Sequence, residues 1–161
     1  MLKSREALAS NTAEIMTIET RLRIRSDRCM TKTIRIAAAL LLRPDGNTLL
    51  VRKRGTTVFM QPGGKIEPQE APEQALVREL FEELGLVAET EDLTFLGQFQ
   101  APAANEPEHI VVADVFRLHV GDTAITAAAE IEEIRWVSPA RPGDLPMAPL
   151  TEHHILPFHR Q

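Results

Sequence analysis

The sequence contains little cysteine and no long apolar run. Its only cysteine, Cys29, has no partner for an intramolecular disulfide, and a cysteine-rich zinc site is excluded. No apolar segment approaches the ~20 residues that a membrane span requires, and no apolar region of the signal-peptide type precedes a cleavage site. We therefore expect a cytoplasmic protein with no membrane partner.

Basic residues are also scarce outside the first part of the chain. Residues 1–32 hold seven Lys and Arg against four Asp and Glu, whereas the remaining residues hold eleven against nineteen. Sequence-independent binding to nucleic acid relies on basic surface, so this acidic balance argues against it. With 161 residues, 43% of them hydrophobic, the chain is long enough to bury the core of one soluble domain. We expect a monomer or a homodimer.

The first 29 residues are the least informative part of the chain. They are loosely amphipathic and end in a basic segment with four arginines, so the pattern is compatible with either a short helix or a flexible extension. Acidic residues in the same segment disfavour a transit peptide. We predict an N-terminal extension over residues 1–29, which could also reflect start-codon choice, and one domain over residues 30–161.

The stretch from Gly64 to Leu86 carries the strongest pattern. Pro72 is tolerated in the first turn of a helix, and Gly85 stands where a left-handed residue ends one, so a helix is predicted over residues 72–84. Helical spacing places five apolar side chains on one face: Leu76, Val77, Leu80, Phe81 and Leu84. It gathers three carboxylates on the opposite face, with Arg78 at their border: Glu79, Glu82 and Glu83.

These carboxylates predict a cation site rather than a solvated helix face. Glu79 and Glu83 are like charges four residues apart, a repulsion that isolated helices avoid. Hard divalent cations take oxygen ligands, and Mg²⁺ in particular binds a few carboxylates together with substrate phosphates. The pattern therefore indicates phosphate chemistry.

The spacing of this stretch resembles a complete Nudix box, the signature of the Nudix hydrolase family. Gly64 is followed after five residues by Glu70, and after seven more by the run from Arg78 to Leu86, in which every fixed position is filled. The resemblance implies an α/β fold of Nudix type, an α/β/α sandwich with a mixed, curved sheet between the box helix and a C-terminal helix. It also implies Mg²⁺- or Mn²⁺-dependent hydrolysis of the pyrophosphate bond in a nucleoside diphosphate linked to another moiety.

A metal site follows from the same resemblance. Its implied ligands are Glu79, Glu82, Glu83 and the carbonyl of Gly63, which lies just before the box. Many family members recruit a further glutamate shortly before a tryptophan, which singles out Glu130, with Glu133 as its rival; either could instead be a polar residue at a strand edge. The group that takes the proton of the attacking water stays open between Glu79 and Glu82.

The remaining box residues are interpreted as supports for this site. Arg78 is expected to orient carboxylates rather than to touch the substrate. Glu70 stands at the start of the helix, where it can interact with the N-terminal amides and with Arg78. Gly64 and Gly85 are the structural glycines of the box.

Two strands joined by a turn are predicted before the box. Residues 34–43 and 48–54 are rich in β-forming residues and flank a turn that contains proline and glycine. Alternate residues of a strand share a face, so we expect Arg52 and Arg54 to point together toward the substrate phosphates and Lys53 to point away. The alternative is a strand end that is basic for solubility alone.

Two loops are candidates for substrate selection. Phe59 lies in the loop before the box and could stack on a nucleotide base, or it could be a core residue that anchors the loop. The loop from Ala101 to His109 is rich in turn-forming residues, and we expect it to overhang the site. Pro102, within it, stands where ADP-ribose pyrophosphatases of the family tend to carry a proline.

The identity of the substrate stays open. Members that act on oxidised guanine read the base with an asparagine near the last segment, and no asparagine stands at residues 147–150. His153 and His154 are adjacent, so they cannot form the i,i+4 pair of a zinc helix. A small nucleotide is the expected partner, and an ADP-ribose or dinucleoside polyphosphate pyrophosphatase is one alternative. A non-catalytic Nudix-fold module that senses a nucleotide is the alternative of another class; isomerase chemistry is disfavoured because the box is unaltered.

Overall fold

The structure is a computed structural model that describes residues 32–121 and 123–159, so the predicted extension over residues 1–29 lies outside it. Its strands are β1 (Lys32–Leu42), β2 (Thr48–Lys53), β3 (Gly63–Lys65), β4 (Thr94–Pro102), β5 (His109–His119) and β6 (Ile131–Val137). Its helices are α1 (Pro72–Leu84), a 3₁₀ turn (Thr90–Asp92), a π-helical turn (Thr151–Ile155) and α2 (Leu156–His159). None of the helices in the described ranges is long and apolar enough to cross a membrane.

The strands form one mixed sheet in the order β4-β5-β1-β2-β6, and the short β3 pairs with β1. β1 and β5 are parallel, whereas the other pairs are antiparallel. The predicted hairpin joins β1 to β2, and its turn is closed by a hydrogen bond of 3.0 Å from Arg43 N to Asn47 O. The short β3 brings Gly63 and Gly64 against the middle of β1.

Alternation along β1 divides the core into two layers. Ala37, Ala39 and Leu41 belong to a buried cluster that includes the apolar stripe of α1. Leu40 and Leu42 belong to another cluster, which includes Leu150 and Ile155 from the last segment of the domain. Because successive side chains of a strand point to opposite faces, one central strand supports both layers. The predicted sandwich is confirmed.

The box helix begins and ends where the sequence predicts. Gly85 has φ of 61°, and its N–H donates to Phe81 O at 2.9 Å while Leu86 N–H donates to Leu80 O at 3.2 Å. A left-handed residue with these two hydrogen bonds satisfies carbonyls that the helix end leaves free. At the other end, Ala71 provides no side-chain cap.

The predicted division of α1 into an apolar and an acidic face is wrong at two positions. Phe81 is 60% exposed, whereas Glu83 is 1% exposed. Seven residues bring a helix through nearly two full turns, so Glu83 lies only about 20° around the helix from Leu76, whose side chain is fully buried. The face that packs on the sheet is therefore centred between Leu76 and Leu80, and Phe81 falls outside it.

Candidate active site

A cavity of about 400 Å³ lies where β1, β3, α1 and the last segment of the domain meet. Its charged lining side chains are Lys53, Lys65, Glu79, Glu106 and Glu130. Its uncharged lining includes Ile34, Ile36, Met60, Gln61, Val111, Ala148, Leu150 and Thr151. The cavity therefore combines charged groups suited to phosphate and metal with an apolar wall suited to an organic ring. Pro102, Ala104 and Asn105 also line it. The segment predicted to overhang the site therefore borders it, although its ends are strand rather than loop, since β4 extends to Pro102 and β5 begins at His109.

The two glycines at the start of the box are required by close packing. Gly63 has φ of +138°, and a Cβ atom there would lie 2.2 Å from the carbonyl oxygen of Ala37. A Cβ on Gly64 would lie 2.3 Å from the carboxyl carbon of Glu79. Both distances are far below van der Waals contact, so any side chain would displace the strand or the carboxylate. Glycine at these positions lets the Glu79 carboxylate lie directly against the backbone.

Glu83 lies beneath this backbone and forms what we call the Lys53 cluster, which is Lys53 with Glu83 and Glu130. Gly63 N–H donates to Glu83 Oε2 at 3.0 Å, and Lys53 Nζ lies 3.1 Å from Glu83 Oε1. Lys53 Nζ also donates to Glu130 Oε1. Among the described residues, Glu83 Oε1 nevertheless has no well-aligned hydrogen-bond donor, so the ammonium compensates its charge without fully satisfying the oxygen.

Burial governs the protonation of this cluster. Removal from water raises the pKa of the Glu83 carboxyl, and Lys53 and the Gly63 amide only partly oppose this effect. Burial alone would lower the pKa of Lys53, but the Glu83 and Glu130 carboxylates outweigh it and hold that pKa above its usual value. Each charge therefore depends on the other to persist in a poorly solvated place.

A second group, the Arg78 cluster, consists of Arg78 with Glu70 and Glu79. Arg78 Nε and Nη2 donate to the two carboxylate oxygens of Glu70 at 2.9 and 3.0 Å, and Nη1 donates to Glu79 Oε1 at 2.8 Å. Glu82 is more loosely held, with its Oε2 at 3.7 Å from Nη1. The hydrogen bonds from Arg78, aided by the Glu67 amide, lower the pKa of Glu70 to about 2. Glu70 thus pairs with Arg78 as predicted, although the amide it accepts from is that of Glu67 rather than one in the helix.

The predicted orientation of the basic strand end is wrong. Arg52 turns away from the cavity and donates to Glu132 at 2.7 Å and to Glu133 at 2.9 Å. Lys53, which we expected to point away, lines the cavity instead. Arg54 lies beyond the end of β2 and is exposed, so it does not share a strand face with Arg52. Alternation holds between Arg52 and Lys53, but the pairing of β2 with β6 sets which of the two faces the box, and a register shift falls between them.

Phe59 is a core residue and does not offer a ring for stacking. It is 4% exposed and packs in a cluster with Leu50 and Val137. Its backbone pairs with residues far along the chain, since Phe59 N–H donates to Pro146 O at 2.8 Å. Of the two interpretations of Phe59, the anchor is therefore the one the structure supports.

The two candidates for an additional acidic ligand are separated by position. Glu130 lines the cavity and contacts Lys53. Glu133 is held by Arg52 and Arg135, which lower its pKa, and it does not line the cavity. Glu130 is therefore the one of the two that can serve the site.

The donor set fits a hard divalent cation in its chemistry. Carboxylate oxygens of Glu79, Glu83 and Glu130 surround or underlie one cavity, and Glu83 Oε1 has an unused acceptor site. Within residues 32–121 and 123–159, however, no three carboxylate, histidine or cysteine side chains are close enough to hold a metal together as they stand. The Lys53 ammonium contacts the Glu83 and Glu130 carboxylates and so compensates part of the negative charge that a bound cation would neutralise.

Gln61 and Thr151 also line the cavity, and sequence reasoning missed both. Thr151 Oγ1 donates to Gln61 Oε1 at 2.7 Å, and the two residues are 90 positions apart. Nothing in the local pattern of either segment indicates this contact. For Lys53 the sequence does contain a signal, because strand alternation allows its side chain only two orientations. The choice between the two depends on the neighbouring strand.

The chain matches the NUDIX domain family over residues 32–157. It is 34% identical over 123 residues to the CTP pyrophosphohydrolase of Escherichia coli, which covers 73% of this chain and 85% of that protein. It is 40% identical over 75 residues to an 8-oxo-dGTP diphosphatase of Haemophilus influenzae, which covers 44% of this chain and 55% of that one. Its fold resembles the crystal structure of a MutT protein from Methanosarcina mazei, with a TM-score of 0.65 at 23% identity over 82% of this chain and 94% of that one.

Relatives from Bacillus subtilis and Streptomyces ambofaciens are matched over 66% and 62% of their own lengths. The family match covers most of the chain and includes every residue of the box and of the cavity. This chain therefore belongs to the NUDIX domain family.

Proposed function

We propose that this protein is a Mg²⁺- or Mn²⁺-dependent pyrophosphohydrolase that cleaves the pyrophosphate bond of a nucleoside diphosphate linked to another moiety. The observation that carries the proposal is the contact of two carboxylates of α1, Glu79 and Glu83, with the Gly63–Gly64 backbone. Glu79 packs on Gly64, and Glu83 accepts from the Gly63 amide. Glu79 thus lies in the lining of a cavity that Glu130 also lines, and Glu83 is held beneath the same backbone and is joined to Glu130 through Lys53.

The proposed cation ligands are Glu79, Glu82, Glu83, Glu130 and the Gly63 carbonyl. When bound, the cation would neutralise the pyrophosphate and lower the pKa of the attacking water. Arg78 fixes the Glu79 carboxylate, so that this ligand does not need to be ordered when the substrate arrives. Glu79 lines the cavity whereas the Glu82 side chain is 53% exposed, which favours Glu79 over Glu82 as the group that takes the proton of the water.

The substrate class we propose is a nucleoside triphosphate or a related nucleotide of similar size. The cavity volume of about 400 Å³ lies in the range typical of sites for small molecules. The names of the Escherichia coli and Haemophilus influenzae relatives, which act on CTP and on 8-oxo-dGTP, support this class.

The test is a hydrolysis screen with the purified chain. The panel comprises canonical nucleoside triphosphates, 8-oxo-dGTP, ADP-ribose and a dinucleoside polyphosphate, each with Mg²⁺, with Mn²⁺ and with excess EDTA. We expect release of a nucleoside monophosphate from at least one compound with either cation, and none with EDTA. Metal-independent release would contradict the cation roles. Tight binding of a nucleotide that is never cleaved would identify a binding module instead of an enzyme.

A further inference from the structure

The uncharged wall of the cavity contains one polar pair, Gln61 with Thr151. Both lie almost wholly inside the protein: Gln61 is 5% exposed and Thr151 is 0% exposed, yet both line the cavity. The Thr151 hydroxyl donates to Gln61 Oε1 at 2.7 Å, which fixes the side-chain amide in one orientation. Gln61 Nε2 is buried and has no hydrogen-bond acceptor among the residues that the structure describes.

The backbone around this pair is held on both sides. Pro62 O, next to Gln61, accepts from Ala39 N at 2.9 Å, which ties the segment to β1. Ala148 N donates to Phe59 O at 2.9 Å, which ties the segment before Thr151 to the same stretch. Thr151 begins the π-helical turn. The position of the amide is thus set by the fold rather than by a free loop.

A buried donor without an acceptor costs free energy, and an apolar residue of similar size would avoid that cost. Ile36 and Leu150, which line the same cavity, show that apolar side chains are accommodated there. A ligand that brings an acceptor to Gln61 Nε2 would satisfy the donor. The surrounding apolar wall would suit the faces of a planar ring.

We propose that Gln61 determines base specificity by donating from Nε2 to a carbonyl oxygen of the nucleobase, while Thr151 acts as a positioning residue for its amide. The proposal rests on the proposed function, since it assigns the apolar end of that cavity to the base of the nucleotide. Bases with a carbonyl at position 6 of a purine or position 4 of a pyrimidine, such as hypoxanthine and uracil, would bind well. Adenine and cytosine carry an amino group at the equivalent position, so a donor of the base would face the Gln61 Nε2 donor.

The test uses equilibrium binding of nucleoside monophosphates, measured by calorimetry on the full chain without turnover. Inosine and adenosine monophosphates form one matched pair, because they differ in the carbonyl or amino group at position 6 and in the protonation of the neighbouring nitrogen. Uridine and cytidine monophosphates form the second pair. We expect the carbonyl member of at least one pair to bind about tenfold more tightly in the wild type.

Two variants connect this preference to the amide. Gln61→Leu removes both amide atoms and should bring the affinity ratio close to one. It removes the unsatisfied Nε2 donor but also the acceptor of the Thr151 hydroxyl, so we expect the two effects on melting temperature to offset each other largely. Thr151→Val keeps the branched shape and removes the hydroxyl, so it should reduce the ratio only in part. A residue with a merely structural role would lower the melting temperature and leave the ratio unchanged.

The outcomes separate this inference from the proposed function. An equal affinity within both pairs, a preference for the amino members, or a ratio that survives Gln61→Leu would overturn the assignment of Gln61, even if nucleotides are hydrolysed. Absence of hydrolysis together with a carbonyl preference that Gln61→Leu abolishes would contradict the hydrolase and leave the assignment of Gln61 intact. If Gln61→Leu does not fold, a reduced preference in Thr151→Val supports the assignment, and an unchanged preference there contradicts it.

Discussion

The Arg78 cluster and the Lys53 cluster each join one basic side chain to two carboxylates, one of them on α1, yet they differ in how completely their charges are satisfied. In the Arg78 cluster, a guanidinium makes three hydrogen bonds of 2.8 to 3.0 Å to carboxylate oxygens, and the pKa of Glu70 is far below its usual value. In the Lys53 cluster, Glu83 is buried with its pKa raised, and one of its oxygens has no well-aligned donor within the described ranges.

This difference favours a division of roles in the proposed site, in which one cluster supports the ligands and the other responds to the cation. A guanidinium that faces its carboxylates with paired donors gives a stable, directional contact, which suits a fixed support. A buried carboxylate whose charge is only partly compensated gains more from an added divalent cation. We therefore assign the support of Glu79 to the Arg78 cluster and the response to metal to the Lys53 cluster. The following experiments test that division, from the largest expected effect to the smallest.

The largest effect is expected from Glu83→Gln. The substitution keeps the shape of the side chain and its ability to accept from the Gly63 amide, but it removes the charge that a cation would bind. We expect kcat to fall by about 10²-fold or more, since loss of groups that merely support a metal already costs 10- to 100-fold. The measurement is steady-state hydrolysis of the best nucleotide found in the screen, at saturating Mg²⁺.

The matched control is Glu73→Gln, which removes a carboxylate in the first turn of the same helix, away from the cavity lining. It should leave kcat within about twofold of the wild type, because the residue does not reach the cavity. Melting curves of both variants establish that they are folded. Full activity in Glu83→Gln would remove Glu83 from the metal site and end the division between the two clusters.

The box side of this comparison could be predicted from sequence, because its determinants are local. The bounds of α1, the left-handed Gly85 and the pairing of Glu70 with Arg78 all depend on residues within one helix and its ends. Fixed spacing and the rules of helix termination suffice for such features. The burial of Glu83 also has a local signal, because its angular position on the helix is next to that of Leu76. Its charge instead placed it with Glu79 and Glu82 on the predicted acidic face.

The side of the site formed by β2, β6 and the last segment could not be predicted in the same way. The face on which Lys53 lies is set by the pairing of β2 with β6, and the burial of Phe59 by a segment near Met147. The contact of Gln61 with Thr151 likewise joins distant segments. Alternation and composition restrict each of these residues to a few options, and long-range packing selects among them.

An intermediate effect is expected from Lys53→Met. Methionine keeps an apolar stem of similar length and removes the ammonium, so the buried Glu83 carboxylate loses its compensating charge. We expect the free energy of unfolding of the metal-free chain to fall by about 1 to 3 kcal/mol, the cost of an unsatisfied buried group. Mg²⁺ should restore part of the loss if the same carboxylate binds the cation. Urea titrations with EDTA and with Mg²⁺ measure both quantities.

Lys65→Met is the control for the loss of a lysine near the cavity. Lys65 is well exposed, and its Nζ lies 3.8 Å from Glu106, so its removal should change stability by no more than about 0.5 kcal/mol. If Lys53→Met is as stable as Lys65→Met in EDTA, the Lys53 ammonium is not needed to hold Glu83. In that case the two clusters would not differ in the way described above.

The smallest effect is expected from Glu70→Gln, and it should appear as a change in pH dependence. Arg78 lowers the pKa of Glu70 to about 2 from an ordinary value of 4.5, so the carboxylate is favoured in the folded state. The stability that it contributes is therefore complete above about pH 4.5 and is lost as the pH falls toward 2. The wild type should melt at a higher temperature than Glu70→Gln at pH 6, and the gap should narrow steadily on acidification.

Glu91→Gln, which removes an exposed carboxylate in the 3₁₀ turn, should show no such narrowing. A gap between the wild type and Glu70→Gln that stays constant from pH 6 to the acid limit of folding would mean that Arg78 does not hold Glu70 in solution, and the Arg78 cluster would then lose its role as the brace of the site.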